Sequence, residues 1–253
     1  MKDKKDKQTT INSLTLYFLF LIVSSLLTVF YFFYKNASWA TVIMSVGCSG
    51  IAASLMAIIL YFFDLNNKKK QLKLYKKIYI IPIQEEILRL FQKILWLEDN
   101  IDNPEINWHL NLNEYLKLDF YMYTTKYESK KKYTIDETIK IMNDVSVKYE
   151  LTHEKQYDEK TRKAFQIVYG HSKFLGAFLL NLDNNKPLLD WVGVISLEKV
   201  ETLLRQYSYL DYVFNKSTGN IGSGIRLLIN MFTIVRELCN FDKEVTPSFA
   251  GRY

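Results

Sequence analysis

Two uncharged apolar runs stand four residues apart near the start of the chain. Residues 11–34 read "INSLTLYFLFLIVSSLLTVFYFFY" and residues 39–63 read "WATVIMSVGCSGIAASLMAIILYFF". A bilayer core of roughly 30 Å takes about 20 helical residues. Both runs exceed that, so each can span with some tilt. Inside lipid only a helix or a closed barrel satisfies its own backbone hydrogen bonds. The pair, joined by residues 35–38, therefore reads as a transmembrane helical hairpin. A signal peptide would have a shorter apolar region followed by a small-residue cleavage site.

Charge is placed around these runs rather than spread along the chain. The formal net charge is +6 over 253 residues. Residues 1–10 carry +2, residues 11–63 only Lys35, and residues 64–77 carry six lysines against Asp64. That leaves −2 for residues 78–253. Lysines stay on the cytoplasmic side of membrane segments. The basic N-terminus at 1–10 and the basic juxtamembrane segment at 64–77 thus predict cytoplasmic termini, with Asn36–Ser38 on the far face. Tyr31, Tyr34 and Trp39 suit that interface and Tyr61 the inner one. The sequon Asn36-Ala37-Ser38 would lie too near the bilayer to receive a sugar. Lys68, Lys69, Lys70, Lys73, Lys76 and Lys77 read as a juxtamembrane anchor for anionic headgroups. The same charge would attract nucleic acid, and the sequence leaves direct nucleic-acid binding open.

The second run carries small residues at four-residue spacing, which puts them on one helix face. Thr41, Ser45, Ser49 and Ala53 form one series, and Gly50 and Ser54 repeat the spacing one position over. Small residues let helices approach closely in lipid. Two uses are open: packing against the first run, at Ser24 and Ser25, or self-association into a homo-oligomer. No charge lies within either run, whereas a proton relay or ion-coupled transporter needs one.

Residues 78–253 read as a mostly helical cytoplasmic domain, giving a mainly α protein. Ile83, Ile87, Leu90, Ile94 and Leu97 predict an amphipathic helix that Pro82 should kink or restart. Residues 108–133 fit a strand or a helix equally. Thr134-Ile135-Asp136-Glu137 fits a capping box opening a helix to about Tyr149. A long helix is expected from about Glu154 to Leu182, with Phe165, Val168, Phe174, Phe178 and Leu182 apolar. Others are expected from Ser196 to about Asn215 and from about Ser223 to Asn240.

Chemical motifs are sparse. "KSTGNIGSGI" (216–225) places Gly219, Gly222 and Gly224 before a helix, where phosphate can bind. A P-loop, however, has its lysine after the glycine-rich turn and a strand before it. The reading is a helix–helix connection. His109, His153 and His171 lack ligand spacing, and Cys48 and Cys239 form neither a disulfide framework nor a metal knuckle. Glu85-Glu86 and Asp158-Glu159 read as solvated acid pairs. No catalytic, cofactor or metal residue is assigned, and no enzymatic activity is expected.

The organisation as a whole resembles the two-transmembrane effectors of bacterial anti-phage systems, including those encoded beside retron reverse transcriptases. The resemblance rests on the lysine-rich start, the two closely spaced spans, the lysine-rich exit and the helical domain that follows. It implies a multi-pass protein of the bacterial inner membrane that oligomerises on activation and disrupts the membrane in abortive infection. It also implies an inhibitory partner, a reverse transcriptase with its RNA–DNA product or another operon-encoded sensor. The alternative is a membrane-tethered adaptor whose helical domain recruits a partner.

Overall fold

The computed structural model describes residues 2–103, 106, 130–150, 157–170, 172–215, 220–239 and 244–247, with side chains before Leu14 and at 211, 214 and 215 excepted. The chain is mainly helical and falls into two compact units, Met1–Gln71 and Leu72–Tyr253.

The first unit is a helical hairpin. Helix α1 spans Lys2–Tyr34, and α2 spans Ala40–Tyr75 and contributes to both units. The apolar runs are thus the middles of longer helices. The basic segment, expected as a separate stretch, continues α2 as far as Tyr75. Both helices are long and apolar enough to cross a membrane. Their outward shell is apolar, with Phe33 79% and Val42 64% exposed.

The second unit begins where α2 passes into a single π-turn, Lys76–Ile80, followed by α3, Ile81–Asn100. Pro82 explains this turn. It has no amide hydrogen to give the carbonyl four residues back, and its ring crowds that carbonyl. The backbone widens instead, and Ile81 donates to the Lys76 carbonyl. The sequence's kink or restart is a one-turn change of helix type.

α3 is central to this unit. It packs against α4 (Ile135–Lys148), α5 (Glu159–Gly170), α6 (Lys173–Asn184) and α9 (Ile221–Arg236). The predicted stripe Ile83, Ile87, Leu90, Ile94 and Leu97 is buried, and so are Leu88, Phe91, Leu95 and Trp96 around the rest of the helix. Phe91 meets Phe232 of α9 edge to face, with ring centroids 5.6 Å apart. Between α6 and α9 lie α7 (Lys186–Val192) and α8 (Leu197–Asn215).

The capping box opens α4 as the sequence predicts. Glu137 N–H donates to Thr134 Oγ1 at 3.3 Å, and Thr134 N–H donates to the Glu137 carboxylate at 2.7 Å. Two expectations change. The long helix at 154–182 is two helices, α5 and α6, separated by a turn at Ser172, whose N–H donates to the Tyr169 carbonyl. The buried positions of α6 are Leu175, Leu179 and Leu182, while Phe174, one position over, is exposed. The alternation read at 108–133 falls mostly outside the described residues, as do His109, His153 and His171. Tyr133 is described, and it forms an isolated antiparallel bridge with Val245.

Candidate functional site: the apolar hairpin and its lysine-rich exit

The hairpin is closed by small side chains. Ser24 of α1 is buried against Gly47 and Gly50 of α2. A β-carbon on Gly47 would sit 3.1 Å from the Ser24 carbonyl oxygen and 3.0 Å from the Thr28 amide nitrogen. One on Gly50 would collide with the Ser24 hydroxyl. Only glycine permits this approach. Ala40 and Ser54 are buried in the same unit. Ser25 and Thr28 hydroxyls donate to carbonyls four residues back, Leu21 at 2.8 Å and Ser24 at 3.0 Å. Their polar atoms are therefore satisfied within α1.

This geometry divides the small residues of α2. Gly50 and Ser54 belong to the packed face, together with Gly47, which the four-residue spacing passes over. Thr41, Ser45, Ser49 and Ala53 are all exposed. At about 100° per residue this series is centred roughly 150° from Gly47, Gly50 and Ser54, and Ala53 is its member nearest the packed face, about 60° from Gly50. Intramolecular packing accounts for one series and leaves the other uncovered.

Aromatic rings gather at both ends of the hairpin. At the closed end Trp39 lies 6.1 Å from Phe30 and 6.0 Å from Tyr34, centroid to centroid. At the open end Tyr17 and Tyr61 meet edge to face at 6.4 Å. Tyr17 was not singled out in the sequence, and its pairing with Tyr61 identifies it. By helical rise the two layers are about 26 Å apart along α1 and about 33 Å along α2.

Five of the six exit lysines are solvent-facing: Lys68, Lys69, Lys70, Lys73 and Lys77. Lys68 pairs with Asp64 at 3.1 Å, one turn earlier. Lys76 differs. It is partly buried, and its Nζ donates to the Leu238 carbonyl at 2.5 Å, just beyond the end of α9. Its ammonium is engaged within the second unit, as a cation near a helix C-terminus serves unpaired carbonyls there.

The glycine-containing loop offers no phosphate cradle among its described residues. Ile221 N–H donates to Tyr157 Oη at 3.0 Å, Gly222 N–H to the Tyr149 carbonyl at 2.9 Å and Ser223 N–H to Asn220 Oδ1 at 3.2 Å. The amides that would hold an anion are already used. Gly222 is required because a β-carbon there would strike the Ser146 carbonyl. Residues 216–219 lie outside the described part.

Of the two acid pairs, Asp158 is exposed as read and accepts from Thr161 N–H at 2.7 Å, opening α5. Glu86 is not solvated. It is 3% exposed and pairs with Arg89 at 3.0 Å. Lys93, one further turn along, is also buried, and burial pushes its ammonium down to about 8 despite the neighbouring Glu86. On another face of α3 the Gln84 side chain is fully buried, with neither amide atom hydrogen-bonded. These polar groups lack water because α3 is covered by helices on several sides. Among the described residues no cluster of His, Cys, Asp or Glu could hold a metal ion. No protein-family model, curated protein or solved structure matches this chain.

Proposed function

We propose that this chain is a membrane effector. Its hairpin crosses the bilayer, associates with further copies through the uncovered face of α2, and disrupts the membrane when released. The observation that carries this reading is the division of the α2 small residues. Gly47, Gly50 and Ser54 are consumed by α1, and Thr41, Ser45, Ser49 and Ala53 face outward among apolar neighbours. In lipid a helix face of small, weakly polar side chains gains from close packing against another helix. The two aromatic layers are spaced to match a hydrocarbon core of about 30 Å, and five solvent-facing lysines follow one of them.

The bacterial inner membrane, abortive infection and inhibition by an operon-encoded partner come from the architectural resemblance alone. They complete the proposal as its biological setting. In that setting a partner bound to residues 78–253 holds the chain inactive until infection releases it.

The test is expression of the intact chain in bacteria, without genomic neighbours, in the presence of a membrane-potential dye. Depolarisation before growth arrest is the expected result. The Ser49→Leu, Ala53→Leu double variant should still enter the membrane fraction yet lose this effect. Undiminished depolarisation by the double variant removes the role of the outward face. Exchange of 11–63 for an unrelated two-span anchor addresses the adaptor reading, since an adaptor would keep working with the foreign hairpin.

A further inference from the structure

The second unit carries an apolar surface that its own core does not use. Helices α6 and α7 follow one another with only Asn185 between them. Along this stretch Phe174 (55%), Leu180 (59%), Leu188 (38%) and Trp191 (80%) are exposed. Trp191 is the most exposed large apolar side chain among the described residues of the whole chain. Its exposure is built in. Gly193, at φ +79°, ends α7, and the Val194 N–H returns to the Leu189 carbonyl at 2.8 Å. This is a left-handed helix stop in which the flanking apolar pair packs together with the core. Leu189 and Val194 are both buried. With Leu189 turned inward, Leu188 and Trp191, three residues apart, are held outward.

The formal charge of this stretch is balanced. Lys186 pairs with Asp183 at 2.9 Å, and Lys173 and Asp190 are the remaining charged residues. A strongly charged partner finds little to recognise here. An amphiphilic interface does, because tryptophan combines a large apolar ring with one N–H donor and concentrates at headgroup level.

Two facts select the bilayer as the occupant. α2 is common to both units, so a membrane holding the hairpin is tethered to α6 and α7, and contact with it is intramolecular. In addition, α6 packs directly against the π-turn Lys76–Ile80, the point at which the lysine-rich exit enters the second unit. A helix of twelve residues is about 18 Å long, so α7 begins within that distance of the end of α6 that lies nearer the turn.

We infer that the outer face of α6 and α7, centred on Leu188 and Trp191, is an interfacial lipid contact that seats the second unit on the bilayer crossed by its own hairpin. This rests on the membrane-spanning reading of the hairpin, and the experiment separates the two.

The full chain is reconstituted into phosphatidylethanolamine–phosphatidylglycerol vesicles containing doxyl-labelled lipid. An environment-sensitive fluorophore is placed by Trp191→Cys in a Cys48→Ser, Cys239→Ser background. A second protein carries the fluorophore on native Cys48, in a Cys239→Ser background, and reports the hairpin. The expected result is loss of most Trp191-site emission with shallow doxyl groups and of most Cys48-site emission with deep ones. Quenching at Cys48 with none at the 191 site overturns the inference and leaves the hairpin reading standing. Quenching at neither site overturns both. A blue-shifted, unquenched 191 site whose signal follows protein density also overturns it, assigning the face to a second copy. A Leu188→Cys label repeats the measurement should the Trp191 variant fail to fold.

Discussion

The Lys76 ammonium lies 2.5 Å from the carbonyl oxygen of Leu238, 162 residues later in the sequence. It ties the first turn after α2 to the end of α9. A charged hydrogen bond at a partly buried site contributes about 1.5–3 kcal/mol. Lys76→Met should therefore destabilise the second unit by about 1.5 kcal/mol. Lys77→Met removes the same charge from an exposed position and should change stability by less than about 0.5 kcal/mol. Denaturant midpoints of the full chain in detergent micelles, followed by tryptophan fluorescence, check the contrast. Equal effects of the two substitutions would reduce the Lys76 contact to a surface charge.

The two faces of α2 predict separable phenotypes. Gly50→Leu drives a side chain into Ser24 and should open the hairpin, because neither backbone can retreat without losing the Gly47–Thr28 approach. Overpacking of this kind costs about 1–3 kcal/mol. Ser49→Leu, on the outward face, should leave the hairpin closed. Spin labels at Leu19 and Leu55, both exposed, report the spacing. A clear increase is expected for Gly50→Leu and none for Ser49→Leu. An unchanged spacing in both proteins would mean that Ser24 and Gly50 do not set the hairpin.

Which parts of this were readable in advance follows from the range of each interaction. The two apolar runs and the Thr134–Glu137 capping box are local patterns, and both elements stand where the sequence places them. The α3 stripe was equally local, but the burial of Glu86 and Lys93 was not. A periodic pattern tells which face is apolar, and it cannot tell that helices will also cover the other face. Lys76 looked like its neighbours because its partner, Leu238, lies at the far end of the chain. The small residues of α2 showed a four-residue period, and the packed face uses Gly47 and Gly50, three apart, which that period divides between two series. The turn at Ser172 follows Gly170, the last residue of α5, and a single glycine inside an apolar periodic stretch is compatible with a continuous helix.

Gln84 supplies a prediction about what α3 tolerates. Its side chain is fully buried and neither amide atom has a hydrogen-bond partner. A buried polar group in that state costs about 1–3 kcal/mol. Methionine has similar volume and an adaptable shape. Gln84→Met should raise the stability of the second unit by about 1 kcal/mol or more, read as a later denaturant midpoint with unchanged slope. A loss of stability would show that the amide is used within the fold.

Lys93 gives the pH dependence. It is 5% exposed. Burial lowers its ammonium from 10.5 to about 8, Glu86 raises it in part, and Arg89 lowers it further. With the folded value below the unfolded one, the unfolded chain binds the extra proton between those two pH values. Charged Lys93 therefore opposes folding at neutral pH, and that opposition fades as pH climbs from about 8 towards 10.5. The difference of 10.5 − 8 corresponds to about 3 kcal/mol over the full window. Other lysines and tyrosines titrate there too, so the measurement is a difference between two proteins. The stability of the native chain relative to Lys93→Met should rise by up to about 3 kcal/mol across that window, with most of the change above pH 8. Arg89 stays on Glu86 in the variant, 3.0 Å away, so the carboxylate keeps a partner throughout. A stability gap that stays constant from neutral pH to 10.5 would place Lys93 in contact with water in the folded protein.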